Sequence, residues 1–349
     1  MATMKEIARQ TGVSVSTVSL VLNNRDEGRV KPHIAQQVRQ TAERLGYAPN
    51  PLARSLRTSR TKILGFISEE IATTPFAGGI ILGAQDAAST LGYMMITVNT
   101  DGVSNEDDEI AALQRYGVDG FLYAKMSNRL AQIPQSITDY PVVLVDATSE
   151  GHRFPSIQPD EFRIGYDATK RLIEAGCTKI AYIGCDDDMP AQIGRLQGYR
   201  QALENAGLRF DERRTVAIGG NGPALSAVSK LFDNEGPDGF FCFNDARAWY
   251  VYECAARCGL TIGQDISVVG VDNHRVFAET LHPRLTTVEL PHYEMGYWAV
   301  CRLVSEIEDR PPSSFIMPAT TAQMPALDAP APASIHCTLI NKESVARQA

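Results

Sequence analysis

Apolar residues spaced three and four apart mark the start of the chain as helical. Ile7, Ala8, Val13, Val18, Val21 and Leu22 form one small set at that spacing, divided by Thr11-Gly12-Val13-Ser14. Two short helices meeting across a glycine turn predict a helix-turn-helix, with Ser14 capping a second helix that starts at Val15. A third helix is expected from Pro32 to Leu45, ended by Gly46, with Ile34, Val38, Ala42 and Leu45 on its apolar face. Val15, Ser16, Ser19 and Leu20 would point outward from the second helix, a face whose size and chemistry suit a DNA major groove. An ordinary helical hairpin would fit the same twenty residues.

From Ile63 the pattern changes to short β-branched and aromatic runs alternating with helical stretches. Strands are expected at Ile63 to Ile67, Met94 to Val98, Gly120 to Tyr123, Val142 to Val145, Lys179 to Ile183, Gly239 to Phe243 and Ser267 to Val271. Helices are expected at Phe76 to Thr90, Asp107 to Tyr116, Phe162 to Ala175, Ile193 to Ala206, Asp245 to Cys258 and Tyr293 to Glu308. Strands that are apolar throughout belong to parallel sheets covered on both faces. The fold class is therefore α/β: a small all-α head followed by two doubly wound lobes. The segment 318–334, rich in Ala and Pro, reads as an extended exposed loop, and Ile335 to Ile340 as a single final strand.

Charge changes the picture of the head. The whole chain of 349 residues carries −8, which taken alone argues against nucleic-acid binding. Residues 1–62, however, hold eleven Lys or Arg against four acids, net +7, leaving −15 for the rest. A basic head on an acidic body suits phosphate contact through the head alone. Between them, Tyr47-Ala48-Pro49-Asn50-Pro51 leads into Leu52 to Leu56, either a basic linker or a short hinge helix. A helix that short folds only against a partner; Leu56 would then be an apolar wedge in the minor groove, beside Arg54 and Arg57.

No apolar run reaches the length of a membrane span and no secretion signal opens the chain, so a cytoplasmic protein without membrane contact is expected. Seven cysteines without CxxC pairs read as buried reduced thiols. Asp186-Asp187-Asp188 reads as a solvated loop at a cleft mouth, since a metal cage needs ligands converging from several segments. No cofactor is expected. Ser/His/Asp, HExxH, P-loop and GxGxxG patterns are absent in fitting contexts, which counts against an enzyme. A transport-type binding protein would carry an export signal in place of the helix-turn-helix.

The ordered motifs resemble those of the LacI/GalR family of bacterial transcriptional regulators. IA-x-x-TGVS-x-STVS-x-VLN at Ile7 to Asn23 matches the family's signature, and LGY-x-PN-x-LARSLRT at Leu45 to Thr58 its hinge. VDG at Val118 to Gly120, KIAYIG at Lys179 to Gly184, R-x-x-GYR-x-AL at Arg195 to Leu203, FCFND at Phe241 to Asp245 and DISVVGVDN at Asp265 to Asn273 follow in family order. The resemblance implies a head at 1–47, a hinge at 48–60, a periplasmic-binding-protein-like body at 61–341 and a tail at 342–349. One lobe would take 61–158 plus 289–315, the other 159–288 plus 334–341. It further implies a homodimer on a pseudo-palindromic operator, with no tetramer-forming leucine heptads after Asn341.

On the family pattern Val15, Ser16 and Leu20 read bases, while Thr17, Ser19, Asn23, Arg54 and Arg57 hold phosphates or line the minor groove, and Leu56 intercalates. In the effector cleft, Phe76 matches a ligand-packing aromatic, and Asp146, Arg195, Asn244 and Asp272 match polar contacts. Such a set suits a sugar, with a nucleobase or nucleoside as the alternative effector. Trp249 and His274 are expected at core or rim. Glu161 departs from the family, which often has Asn there.

Overall fold

The turn at Gly12 follows from its backbone: φ +68° and ψ +21° is the left-handed region that glycine enters without strain. It ends α1 (Met4–Thr11) and lets α2 (Val15–Leu22) start at once. The Ser14 hydroxyl accepts the free N–H of Thr17 at 3.1 Å, satisfying one of the unpaired donors of the first turn. With α3 (Pro32–Arg44) these helices bury Ile7, Ala8, Val18, Val21, Ala35, Val38 and Ala42. The apolar face of α3 is turned slightly from expectation: Ala35 is buried and Ile34 only half-buried, because a methyl lets α3 approach its neighbours closely. Arg39 grips Asp26 with two bonds of 2.8 and 2.9 Å, fixing the loop before α3.

This computed structural model describes residues 2–47, 60–74, 77–101, 105–219 and 223–346 and divides into two units, 1–61 and 62–349. The expected hinge residues Arg54, Leu56 and Arg57, and Phe76 of the cleft, lie outside the described residues.

The second unit is built from strands β1 (Ile63–Glu69), β2 (Met94–Thr100), β3 (Gly120–Leu130), β4 (Val142–Thr148) and β5 (Ser156–Pro159), followed by β6 (Ile180–Cys185), β7 (Thr215–Ile218), β8 (Gly239–Cys242), β9 (Ser267–Asp272) and β10 (Thr286–Glu289). Two short strands, β11 (Ala333–Ile335) and β12 (Thr338–Ile340), end the series. They form two six-stranded sheets, ordered β11-β5-β4-β3-β1-β2 and β12-β10-β9-β8-β6-β7. Among the described residues every strand pairing is parallel except that of β12 with β10.

Around the first sheet pack α4 (Gly78–Thr90), α5 (Glu106–Arg115) and, last in the chain, α11 (His292–Glu308). The second sheet is covered by α6 (Glu161–Glu174), α7 (Pro190–Asn205), α8 (Ala224–Asn234) and α9 (Asp245–Arg257), with the short α10 (Arg275–Ala278). The chain passes between sheets three times, after β5, after β10 and between β11 and β12.

Two expectations are corrected here. The final strand is not one but two: β11 pairs with β5 in the first sheet, and after His336-Cys337 the chain crosses to pair β12 with β10 in the second. An apolar run shows where a strand forms but not which sheet it joins. Nor does the segment 318–334 run free in solvent. Ala322 and Leu327 are buried, the Trp298 indole N–H donates to the Pro325 carbonyl at 3.0 Å, and Arg302 to that of Leu327 at 3.1 Å. Proline removes backbone donors but leaves carbonyls, and these accept from side chains on α11.

Candidate functional site

On the head, the structure leaves Val15 and Ser16 exposed at the start of α2, with Ser19 and Leu20 half-buried one turn on. Thr17 is half-buried and its hydroxyl lies 2.9 Å from that of Ser14. The Asn23 amide donates to the Ser19 carbonyl at 2.7 Å, so it closes the end of the helix. Val15 and Leu20 are apolar, and neither they nor the Ser16 hydroxyl can make the paired contact that guanine prefers.

In the second unit, parallel strands end together, and the crevice beyond their carboxyl ends is where α/β folds place ligands. A cavity of about 50 Å³ there is lined by Met126 and Ser127 of β3 and Asp146 of β4, by Glu161 of α6 and Arg195 of α7, by Phe243 and Asn244 just after β8, and by Asp272 at the end of β9. Four of the five cleft residues expected from sequence thus meet in one place. The chain holds them with bent backbone: Ser127, Asn128, Asp146, Asp272 and Asn273 all have positive φ.

The Asp146 carboxylate accepts backbone N–H groups from Ser127 at 2.9 Å and Asn128 at 3.1 Å. Burial, reinforced by Glu161, nevertheless pushes it up from 3.8 to about 8. The folded state therefore keeps a proton on Asp146 across a range in which the unfolded chain has lost it. Between about pH 4 and pH 8 that group contributes stability at the acid end which is lost as pH rises. Thermal melts are expected to show a falling midpoint from pH 5 to pH 8, and Asp146→Asn should flatten the slope; a slope unchanged by that substitution would assign it elsewhere.

Arg195 is buried. Its Nε donates to Glu161 Oε2 at 2.6 Å and its Nη1 to the Phe243 carbonyl at 2.5 Å, while its guanidinium lies 4.4 Å from the centre of the Phe243 ring. Arg247 stands 5.1 Å from the centre of the same ring and donates to the carbonyls of Gly184 and Ile218. Asn244 caps α9, accepting from the Arg247 N–H at 3.0 Å.

Asp272 is raised well above the carboxylate range by burial and by Asp245. Asp245 itself is fully buried; it accepts from Thr287 Oγ1 at 2.6 Å and from the His274 N–H at 2.8 Å, tying α9 to β10 and to the bend that carries Asp272. Arg129, on β3, forms an ion pair with Asp187 in the loop after β6, so part of the acidic triplet bridges the two lobes. Trp249 is exposed on α9 and His274 half-buried at the start of α10, neither lining the cavity.

Sequence reasoning missed Phe243 and Asp245 as parts of the site, though FCFND contained both. Ser127 and Asn128 serve through backbone N–H groups, for which no side-chain signal exists.

Residues 3–50 match the bacterial regulatory proteins of the lacI family, and residues 169–322 match the periplasmic binding protein-like domain. The HTH-type transcriptional repressor PurR of Vibrio atlanticus (strain LGP32) is 34% identical over 317 residues, covering 89% of this chain and 93% of that protein. The chain belongs to the LacI family. A sucrose operon repressor of Shigella flexneri is 30% identical over 315 residues, spanning 87% of this chain and 94% of the repressor. The solved complex of the transcriptional regulator CelR with cellobiose is 26% identical, covers 99% of this chain and 100% of that one, and superposes with a TM-score of 0.61. As a LacI-family member the chain is a DNA-binding transcriptional regulator of the repressor type and not an enzyme. Among its described residues no helix is long and apolar enough to cross a membrane.

Proposed function

We propose that this LacI-family chain represses a carbohydrate-utilisation operon as a cytoplasmic homodimer on a pseudo-palindromic operator, under control of a sugar held between its two lobes. The observation that carries the effector site is the meeting of Asp146 from one lobe with Arg195, Asn244 and Asp272 from the other around one cavity. Carboxyl groups, an amide and a guanidinium bond hydroxyls in pairs, and Phe243 adds an aromatic ring to the cavity wall. The relatives named for sucrose and seen with cellobiose support the same class.

A cavity of about 50 Å³ does not admit a sugar ring, so entry requires the lobes to move about their three crossings, breaking the Arg129–Asp187 bridge. Differential affinity for the open and closed states then couples the cleft to the DNA-binding head. Leu82 on α4 and Met94 at the start of edge strand β2 are exposed apolar side chains that a second copy could cover.

On DNA, Val15, Ser16 and Leu20 read bases, Thr17, Ser19, Asn23, Arg54 and Arg57 hold the backbone, and Leu56 wedges the minor groove. Binding is expected to weaken on thymine-to-cytosine changes in a half-site and to tolerate guanine changes, because the reading face contacts methyl groups. Leu56→Ala is expected to weaken operator binding and leave ligand affinity intact; equal operator affinity would remove Leu56 from the interface. Thermal melts against a panel of sugars and nucleosides test the ligand class, since a ligand bound only to the folded state raises the midpoint. Shifts with sugars support the proposal; shifts with nucleosides alone overturn its carbohydrate part.

A further inference from the structure

We infer that Glu161 sets the charge of the ligand: by holding Arg195 in a buried pair, it makes the cleft select uncharged polyhydroxylated molecules over phosphate esters and carboxylates. This rests on the cleft being the effector site. The pair is close, 2.6 Å from Arg195 Nε to Glu161 Oε2, with side chains only 4% and 7% exposed. Glu161 lines both the cavity of about 50 Å³ and a neighbouring one of about 370 Å³ beside Asn128, Asp160 and Gly194, so it stands inside the ligand space. Its stem is wedged against α7, where even a methyl on Gly194 would come within 2.7 Å of the Glu161 Cβ.

The other cations around the cleft are also engaged. Arg247 donates through Nε, Nη1 and Nη2 to Gly184, Asn244 and Ile218. Lys125 pairs with Glu69 at 2.8 Å, and Lys342 with Glu279 at 2.7 Å. Against these, Asp146, Glu161 and Asp272 put three carboxyl groups on the cavity wall. Among the described residues, an anionic ligand would meet Arg195 already neutralised by Glu161, and a buried charge left without a cation is costly. Hydroxyl groups face no such penalty: they donate to carboxylates and accept from protonated acids. An Asn at this position could not neutralise Arg195, so the residue at 161 decides which ligands are admitted.

The test compares wild type with Glu161→Gln and Glu161→Ala in thermal melts with and without inorganic phosphate. Both variants are expected to melt lower than wild type. Phosphate should raise the midpoint of the variants by several degrees by pairing the released guanidinium, and leave wild type unmoved. Adding Arg195→Gln to either variant should abolish the phosphate shift. A phosphate shift in wild type that Arg195→Gln removes, or no shift in either single variant, overturns the inference. If the variants do not fold, wild type decides: neutral sugars are compared with their phosphate esters and uronic acids. An acid or ester that binds at least as well as its neutral parent overturns the inference. Failure of every neutral sugar would instead sink the proposed ligand class and leave the phosphate comparison standing.

Discussion

Arg195→Ala is expected to lower folding stability by about 3–5 kcal/mol and to abolish the response to ligand. The substitution removes the partner of a buried carboxylate, and Glu161 is left facing Asp146 and Asp272 without a cation. It also withdraws the donor to the Phe243 carbonyl, which stands immediately before the Asn244 cap of α9. Urea unfolding measures the loss. A double-mutant cycle with Glu161→Gln isolates the pair: the second substitution should restore much of the stability, because it removes the stranded charge. Stability within about 0.5 kcal/mol of wild type would show that the pair is not buried in solution.

Gly165→Ala is expected to be the next most damaging, at roughly 1–3 kcal/mol or more. Helices α6 and α7 cross so closely that a methyl on Gly165 would lie 2.0 Å from the Arg195 carbonyl oxygen, and one on Gly198 would lie 2.0 Å from that of Phe162. Both obstacles are backbone, so neither can rotate away. Relief requires separating α6 from α7, and these helices carry Glu161 and Arg195 respectively. A lower melting temperature together with weakened ligand binding is the expected result; a lower melting temperature with ligand affinity unchanged would show that the crossing does not position the pair.

Much of this architecture is legible in the sequence where periodicity runs long enough to express a face. The helix-turn-helix is such a case, its buried set at Ile7, Ala8, Val18 and Val21 following from spacing alone. The apolar strands around Phe66, Leu122, Val143 and Val268 are another. Among the four-residue strands only β8, buried and apolar along its length, is legible; β5, β7 and β10 are too short to establish a period, and β5 ends in Pro159. The helix α8 was missed as well. The split of the final strand depends on which sheet each half meets, which three residues cannot encode locally. The packing of 318–334 depends on Trp298 and Arg302 of α11, donors distant from the carbonyls they serve.

The site shows the same division. Asp146, Arg195, Asn244 and Asp272 are found through motifs, because a ligand-facing side chain must be of a particular chemical type. Asp245 and the backbone N–H groups of Ser127 and Asn128 hold those residues in place and carry no such mark. Glu161 is intermediate: its departure from the family is visible in sequence, but its partner is not.

The most direct test of ligand-controlled operator binding is selection of duplexes from a random pool by the full chain, with and without the sugar giving the largest thermal shift. Two inverted half-sites are predicted, with thymine-rich contacts and enrichment that changes when the sugar is added. Enrichment of an asymmetric site, or of a palindrome whose recovery is the same with and without the sugar, would contradict the account.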